Sequence, residues 1–234
     1  PEFLRHGILT MLEYLYIKKL NNKCNEILIY TNNQCSSTWV HQISNYLEKK
    51  IHDRCLSTSE VKLPLFDKII CAYRINSKLI EKQRTTHKKT LNDFINCTNY
   101  SRNIELCFID DVNHETMKSS RVYYISPLPY YHSLTADEVV SRFLNSRIII
   151  TQQLKKPLLY SKEFWILWFS SYKRAFNRKR KSKSTVKEDL VVSQLMMTNI
   201  RSFIHWTHFN QPLLLQTHTK KKKNCKLNIT KKCK

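Results

Sequence analysis

Asn103–His114 reads NIELCFIDDVNH, an apolar run that stops abruptly on two adjacent carboxylates. A short, continuous apolar segment suits a strand buried on both faces, as in a parallel sheet. In an open α/β sheet, ligands gather beyond the carboxyl ends of the strands. Asp110 and Asp111 therefore stand where a site would be built. Adjacent carboxylates repel one another unless something binds them, and their oxygens suit a hard cation such as magnesium.

The same grammar recurs on either side of this stretch. Glu26–Thr31 (EILIYT) is a second short apolar run, and it ends on the hydroxyl of Thr31. Phe66–Tyr73 (FDKIICAY) and Arg121–Ile125 are further strand candidates. Helical spacing fills the intervals over Gly7–Leu20, Ser36–Ile51 and around Leu91–Ile95. Thr135–Leu144 completes the set, with Thr135 and Glu138 spaced as a capping box. Strand–helix alternation of this kind predicts an open, doubly wound parallel α/β sheet over residues 1–150. Lys89 lies in the polar connection ahead of the acidic pair. Thr31, Lys89, Asp110 and Asp111 would then converge at one sheet edge. There the lysine and threonine would neutralise and position phosphoryl oxygens while the carboxylates hold a metal. Singly, each has a plainer reading: a threonine that caps the next helix, a solvated lysine, a solvated acidic turn.

Three segments carry a family resemblance. IYTNN (residues 29–33), RTTHKKTLNDFI (84–95) and CFIDDVNH (107–114) resemble motifs two, three and four of haloacid-dehalogenase-fold phosphatases. More narrowly, they are similar to the branch related to RNA polymerase C-terminal-domain phosphatases, also called nuclear-LIM-interactor-interacting-factor-like, including its large-DNA-virus members. FLRHGILTMLEYL (3–15) and LFDKIICAYRIN (65–76) resemble flanking segments of that branch, with His6 where a proline is usual. The resemblance covers roughly residues 1–146. It implies a magnesium-dependent phosphatase acting on Ser/Thr of a phosphoprotein. Thr31 would be the motif-two hydroxyl and Lys89 the motif-three lysine, with Lys88 a rival one position away. Asp110 would be a magnesium ligand, with Asp111 its neighbour.

The family attacks phosphate with the first Asp of a D-x-D-x-[TV] motif on a central strand. No D-x-D occurs here; the aspartates are 53, 67, 93, 110, 111, 137 and 189. The expected fold is therefore a haloacid-dehalogenase-like sheet without its first central strand, and the expected chain is catalytically inactive. Magnesium binding would be weakened or lost with the motif. Pro1 stands first, which leads to the expectation of a fragment of a longer product, or of a natural pseudophosphatase in which another strand fills the gap.

Composition narrows the alternatives. Gly7 is the only glycine, against about 7% in ordinary proteins, so glycine-rich phosphate cradles are excluded. The cysteines show neither C-x-x-C spacing nor zinc-like intervals, which points to reduced thiols in cytosol or nucleus. The longest apolar stretch, Phe164–Phe169, is far too short to span a bilayer.

Charge divides the chain. Residues 1–150 carry 20 Lys/Arg against 15 Asp/Glu, whereas residues 151–234 carry 20 against 3, a net of +17. The second part reads as a basic, mainly helical extension (151–219) followed by a lysine-rich disordered tail (220–234). Lys173, Arg174, Arg178, Lys179, Arg180, Lys181 and Lys183 form a dense run suited to nuclear import or nonspecific nucleic-acid contact. A basic nucleic-acid-binding protein with an α/β scaffold is thus the alternative function. Binding of this kind is salt-controlled. If six to ten phosphates are contacted, affinity for a duplex should fall by about 10³–10⁵ between 50 and 200 mM salt. Deleting Lys220–Lys234 should flatten that slope, and a salt-independent Kd in filter binding would contradict it.

Overall fold

The computed structural model describes residues 3–55, 63–146, 167, 169–170 and 185–205. These fall into two compact units. One takes in Pro1–His6 and Tyr130–Val191, the other Gly7–Pro129 and Val192–Lys234.

The larger unit opens with α1 (Ile8–Leu20), which Gly7 starts at φ 74°, in the left-handed region. A Cβ at Gly7 would meet Ser193 Cβ at 3.3 Å, so both backbone and neighbour favour glycine here. Strand β1 (Leu28–Tyr30) leads into α2 (Ser37–Cys55) and back to β2 (Lys68–Ile70), which pairs parallel with β1. Leu12 and Tyr16 of α1 pack with Ile51 and Cys55 of α2 and with Ile27 and Leu65 just ahead of the two strands. A buried lysine ties this pair together. Lys19 Nζ donates to Pro64 O at 2.7 Å and meets Asp67 Oδ1 at 2.6 Å, while Asp67 Oδ2 accepts the Ile27 N–H. A charge removed from water needs such partners, and here they fix the start of both strands.

A tight hairpin follows, β3 (Arg74–Ile75) against β4 (Lys78–Leu79). Asn76 and Ser77 turn it at φ 48° and 63°, the left-handed pair that a two-residue hairpin requires. Helix α3 (Leu91–Thr98) is capped by the Thr90 side chain, which accepts the Asp93 N–H, and closes on Asn99 at φ 59°. Strand β5 (Leu106–Ile109), a short 3₁₀ turn (Glu115–Met117) and β6 (Val122–Ile125) form the second parallel pair. Ile70, Phe94, Ile95 and Cys97 make a core cluster against which Leu28, Tyr30 and Leu106 pack. Helix α5 (Val186–His205) contributes Val192, Met196 and Ile200 to a cluster with Met11, Tyr123 and Ile125, and Asn199 accepts from the Tyr123 hydroxyl.

In the smaller unit, α4 (Ala136–Leu144) begins with the capping box that its sequence suggests: Thr135 and Glu138 satisfy each other's backbone N–H groups. Asp189 is buried and holds the Arg5 guanidinium at 3.0 Å and the His6 N–H at 2.7 Å.

The class is mixed α/β with parallel strands, and five helices lie among the described residues. Among the described residues the strands do not join into one continuous sheet. The strands make two separate parallel pairs, β1–β2 and β5–β6, and the antiparallel hairpin. Phe66–Tyr73 is a strand only over its middle three residues, because the chain turns into the hairpin directly afterwards. The basic run and the lysine tail lie outside the described residues. No described helix is long and apolar enough to cross a membrane, and the described cysteines are free thiols.

Gly7→Ala tests the opening turn. An L-residue held in the left-handed region costs about 1–2 kcal/mol, and the contact with Ser193 adds to it. Urea unfolding should show that loss with an unchanged m-value, whereas an unchanged midpoint would mean that Gly7 does not hold this backbone in solution.

Candidate functional site

Tyr30 ends β1, Thr31 follows it, and Asp110 follows β5. Both junctions are continued by ladder bonds: Thr31 N–H donates to Ile70 O and Asp110 N–H to Ile125 O. Lys89, one residue ahead of the α3 cap, bridges them. Its ammonium meets Asp110 Oδ2 at 2.6 Å and lies 5.7 Å from the centre of the Tyr30 ring and 5.9 Å from that of Phe108. Lys89 and Asp110 keep only 12% and 9% of their side-chain exposure, so each charge depends on the other. Lys88 is exposed and offers its carbonyl to Arg84; Lys89 is the lysine that reaches Asp110.

The remaining contacts of Asp110 define what it can do. Oδ1 accepts the Val112 N–H at 2.9 Å and lies 3.5 Å from His114 Nε2. Tyr124 steadies this turn: its hydroxyl donates to Val112 O at 2.7 Å and accepts the His114 N–H. Asp111 is exposed. Magnesium takes about six oxygen ligands in octahedral order. Asp110, with an ammonium on one oxygen and an amide on the other, does not by itself form such a site, and the solvated Asp111 does not complete one.

Thr31 is half-buried, and its hydroxyl accepts the Asn33 N–H at 3.1 Å, closing a small turn toward α2. Its carbonyl accepts from Arg84 Nη1 at 3.2 Å. Arg84 is buried, and it links the ends of β1 and β2 to the turn before α3. Nη1 also donates to Cys71 O at 2.8 Å, and Nη2 donates to Lys88 O at 2.9 Å and His87 O at 3.3 Å. The guanidinium lies 4.8 Å from the centre of the Tyr30 ring. Burial pushes the Tyr30 phenol up to about 12, against smaller opposing effects of its bond to Thr90 and of Arg84. Asp93, also buried, accepts both the Thr85 N–H and its hydroxyl, fixing the segment between Arg84 and Lys89.

Thr31, Lys89 and Asp110 are therefore brought to one edge, and Asp111 lies beside them in solvent. Tyr30, Arg84, Asp93 and His114 were not singled out from the sequence. All four lie inside the three motif-like segments, but Tyr30 reads there as an ordinary strand residue and Arg84 and Asp93 as ordinary surface charges. Lys173–Lys183 lie outside the described residues. No family model, curated protein or solved structure matches this chain.

The pair is testable without any ligand. Asp110→Asn strands a nearly buried ammonium and should cost about 3 kcal/mol. Lys89→Met combined with Asp110→Leu should restore stability to within about 1 kcal/mol of the parent, because a buried pair is often replaceable by apolar groups. If the single and double variants unfold at the same denaturant midpoint, the pair does not form in solution.

Proposed function

We propose that residues 1–150 hold a phosphatase-like domain of the haloacid-dehalogenase type, from the C-terminal-domain-phosphatase-like branch, in a form that carries no nucleophile. The reading is carried by the ion pair of Lys89 and Asp110 beyond the strand ends, beside Thr31. The ammonium and the carboxylate meet there, and Thr31, Lys89 and Asp110 follow one another along the chain with an order and spacing that resemble motifs two to four. Such a lysine and hydroxyl neutralise and orient a phosphoryl group, and that work needs only placed charge and hydrogen bonds.

Covalent phosphate transfer needs an attacking carboxylate. Asp110 cannot take that part while its oxygens are held by Lys89 and Val112. This chain is accordingly an inactive member of the family or an incomplete one. In the complete form that the resemblance implies, magnesium and the D-x-D carboxylates hydrolyse Ser/Thr phosphate of a protein. As it stands, the chain is a phosphate-recognising module for a phosphoprotein. The net charge of +17 over residues 151–234 favours, as a second and independent property, nonspecific nucleic-acid contact in cytosol or nucleus.

Two readouts test the proposal together. The purified chain with magnesium should not hydrolyse an aryl phosphate above background. A phosphoserine peptide should shift the NMR signals of Thr31 and Lys89, and Lys89→Met should abolish the response. Turnover lost on Asp110→Ala would overturn the assignment of silence. A phosphopeptide response confined to the basic tail would overturn the phosphate site.

A further inference from the structure

Charge is spread unevenly over the α/β part. Residues 74–88 carry five Lys/Arg against the single Glu81, a net of +4, although residues 1–150 together carry only +5. Arg74, Lys78, Lys82, His87 and Lys88 are all exposed. The positive charge of this part is thus gathered on the β3–β4 hairpin and the loop that follows it.

That surface is tied together from beneath. Tyr73 O accepts the Ile80 N–H at 3.0 Å, which closes the base of the hairpin. Arg84 joins this base to the loop, since its buried guanidinium takes Cys71 O together with His87 O and Lys88 O. The Tyr73 ring stands at the junction. His87 meets it edge-on with ring centres 5.3 Å apart, and the Arg74 guanidinium lies 5.1 Å from the ring centre. Tyr73 is half-buried, whereas Arg74 is exposed, so the cation faces water on the side away from the ring. A guanidinium placed in this way is flat, charged and already ordered.

We infer that the hairpin Arg74–Leu79 and the loop Ile80–Lys88 form a binding surface for single-stranded nucleic acid. One base stacks on the Arg74 guanidinium and the Tyr73 ring, and Lys78, Lys82 and Lys88 take the phosphates on either side of it. A basic surface with a stacking platform is the chemistry of sequence-tolerant single-strand binding, because every base has a π-face. A duplex keeps its bases from the ring. Nor does the hairpin enter a groove as a ribbon: strands of two residues are about 7 Å long, short of the roughly 8.5 Å depth of the major groove. An acidic peptide matches the charge but offers nothing flat to stack. A lipid surface calls for an apolar anchor, and the hairpin tip is Asn76 and Ser77. The charge of residues 151–234 attracts any polyanion, so the mark of this surface is its preference for a single strand.

The full chain is titrated into a fluorescein-labelled oligouridylate dodecamer and read by anisotropy in about 200 mM salt, where binding by charge alone is weak. The single strand should bind more tightly than a duplex of the same length. Arg74→Ala and Tyr73→Leu should each weaken the single strand about tenfold, the scale of one lost base stack, and leave the duplex unchanged. Arg74→Lys keeps the charge and removes the plane, so it should lose the single-strand preference and retain the salt slope. Changing Lys78, Lys82 and Lys88 together to Gln should lower that slope by about 2. A 4-thiouridine in the strand should crosslink to the peptide that carries Tyr73. Equal affinity of the parent for strand and duplex, or crosslinks confined to residues 151–234, overturns the inference. A polyglutamate dodecapeptide that displaces the RNA as well as unlabelled oligouridylate does overturns it in favour of an acidic protein segment.

Discussion

The ammonium of Lys89 is the constraint on which the site depends. It is largely withdrawn from water and, among the described residues, pairs with the carboxylate of Asp110 just past β5. Its second attraction, to the faces of Tyr30 and Phe108, places the end of β1 against the same point. A cation over an aromatic ring gains most when both are desolvated, and burial of the Tyr30 phenol meets that condition. Two strands from different pairs are thereby held level, and the positions of Thr31 and Asp110 follow.

Arg84 does for the backbone what Lys89 does for the side chains. Four carbonyls from the ends of β1 and β2 and from the turn before α3 converge on one buried guanidinium, whose planar fork can serve several acceptors at once. A lysine there could not serve them all with fixed geometry. Asp93 then fixes Thr85, so the segment from Arg84 to the Thr90 cap is held at both ends. The ends of β1 and β2 and the turn before α3 are thereby tied to one another.

Much of the arrangement was legible in the sequence. Apolar runs ending on Thr31 and Asp110 marked both strand ends, since a strand that stops on a polar residue places it at the sheet edge. Thr135 with Glu138 marked a helix start, because two groups three positions apart can satisfy each other only there. Three things were not legible. Arg84 and Asp93 look like surface charges until the loops fold around them. The Asn76–Ser77 turn carries no glycine, so Asn76 alone, a residue that tolerates the left-handed region, hints at its left-handed pair. Pairing was hidden as well: alternation predicted one parallel sheet, whereas continuity between β1 and β5 depends on a strand that the described residues do not supply.

The ends of β1 and β5 meet at one ammonium. The most direct measurement is the set of nuclear Overhauser contacts from the Tyr30 ring in the full chain. Cross-peaks to the Lys89 ε-protons and to the Phe108 ring are the predicted result. A Tyr30 ring that shows contacts to Phe94 but none to Lys89 or Phe108 would place the two strand ends apart and contradict the account.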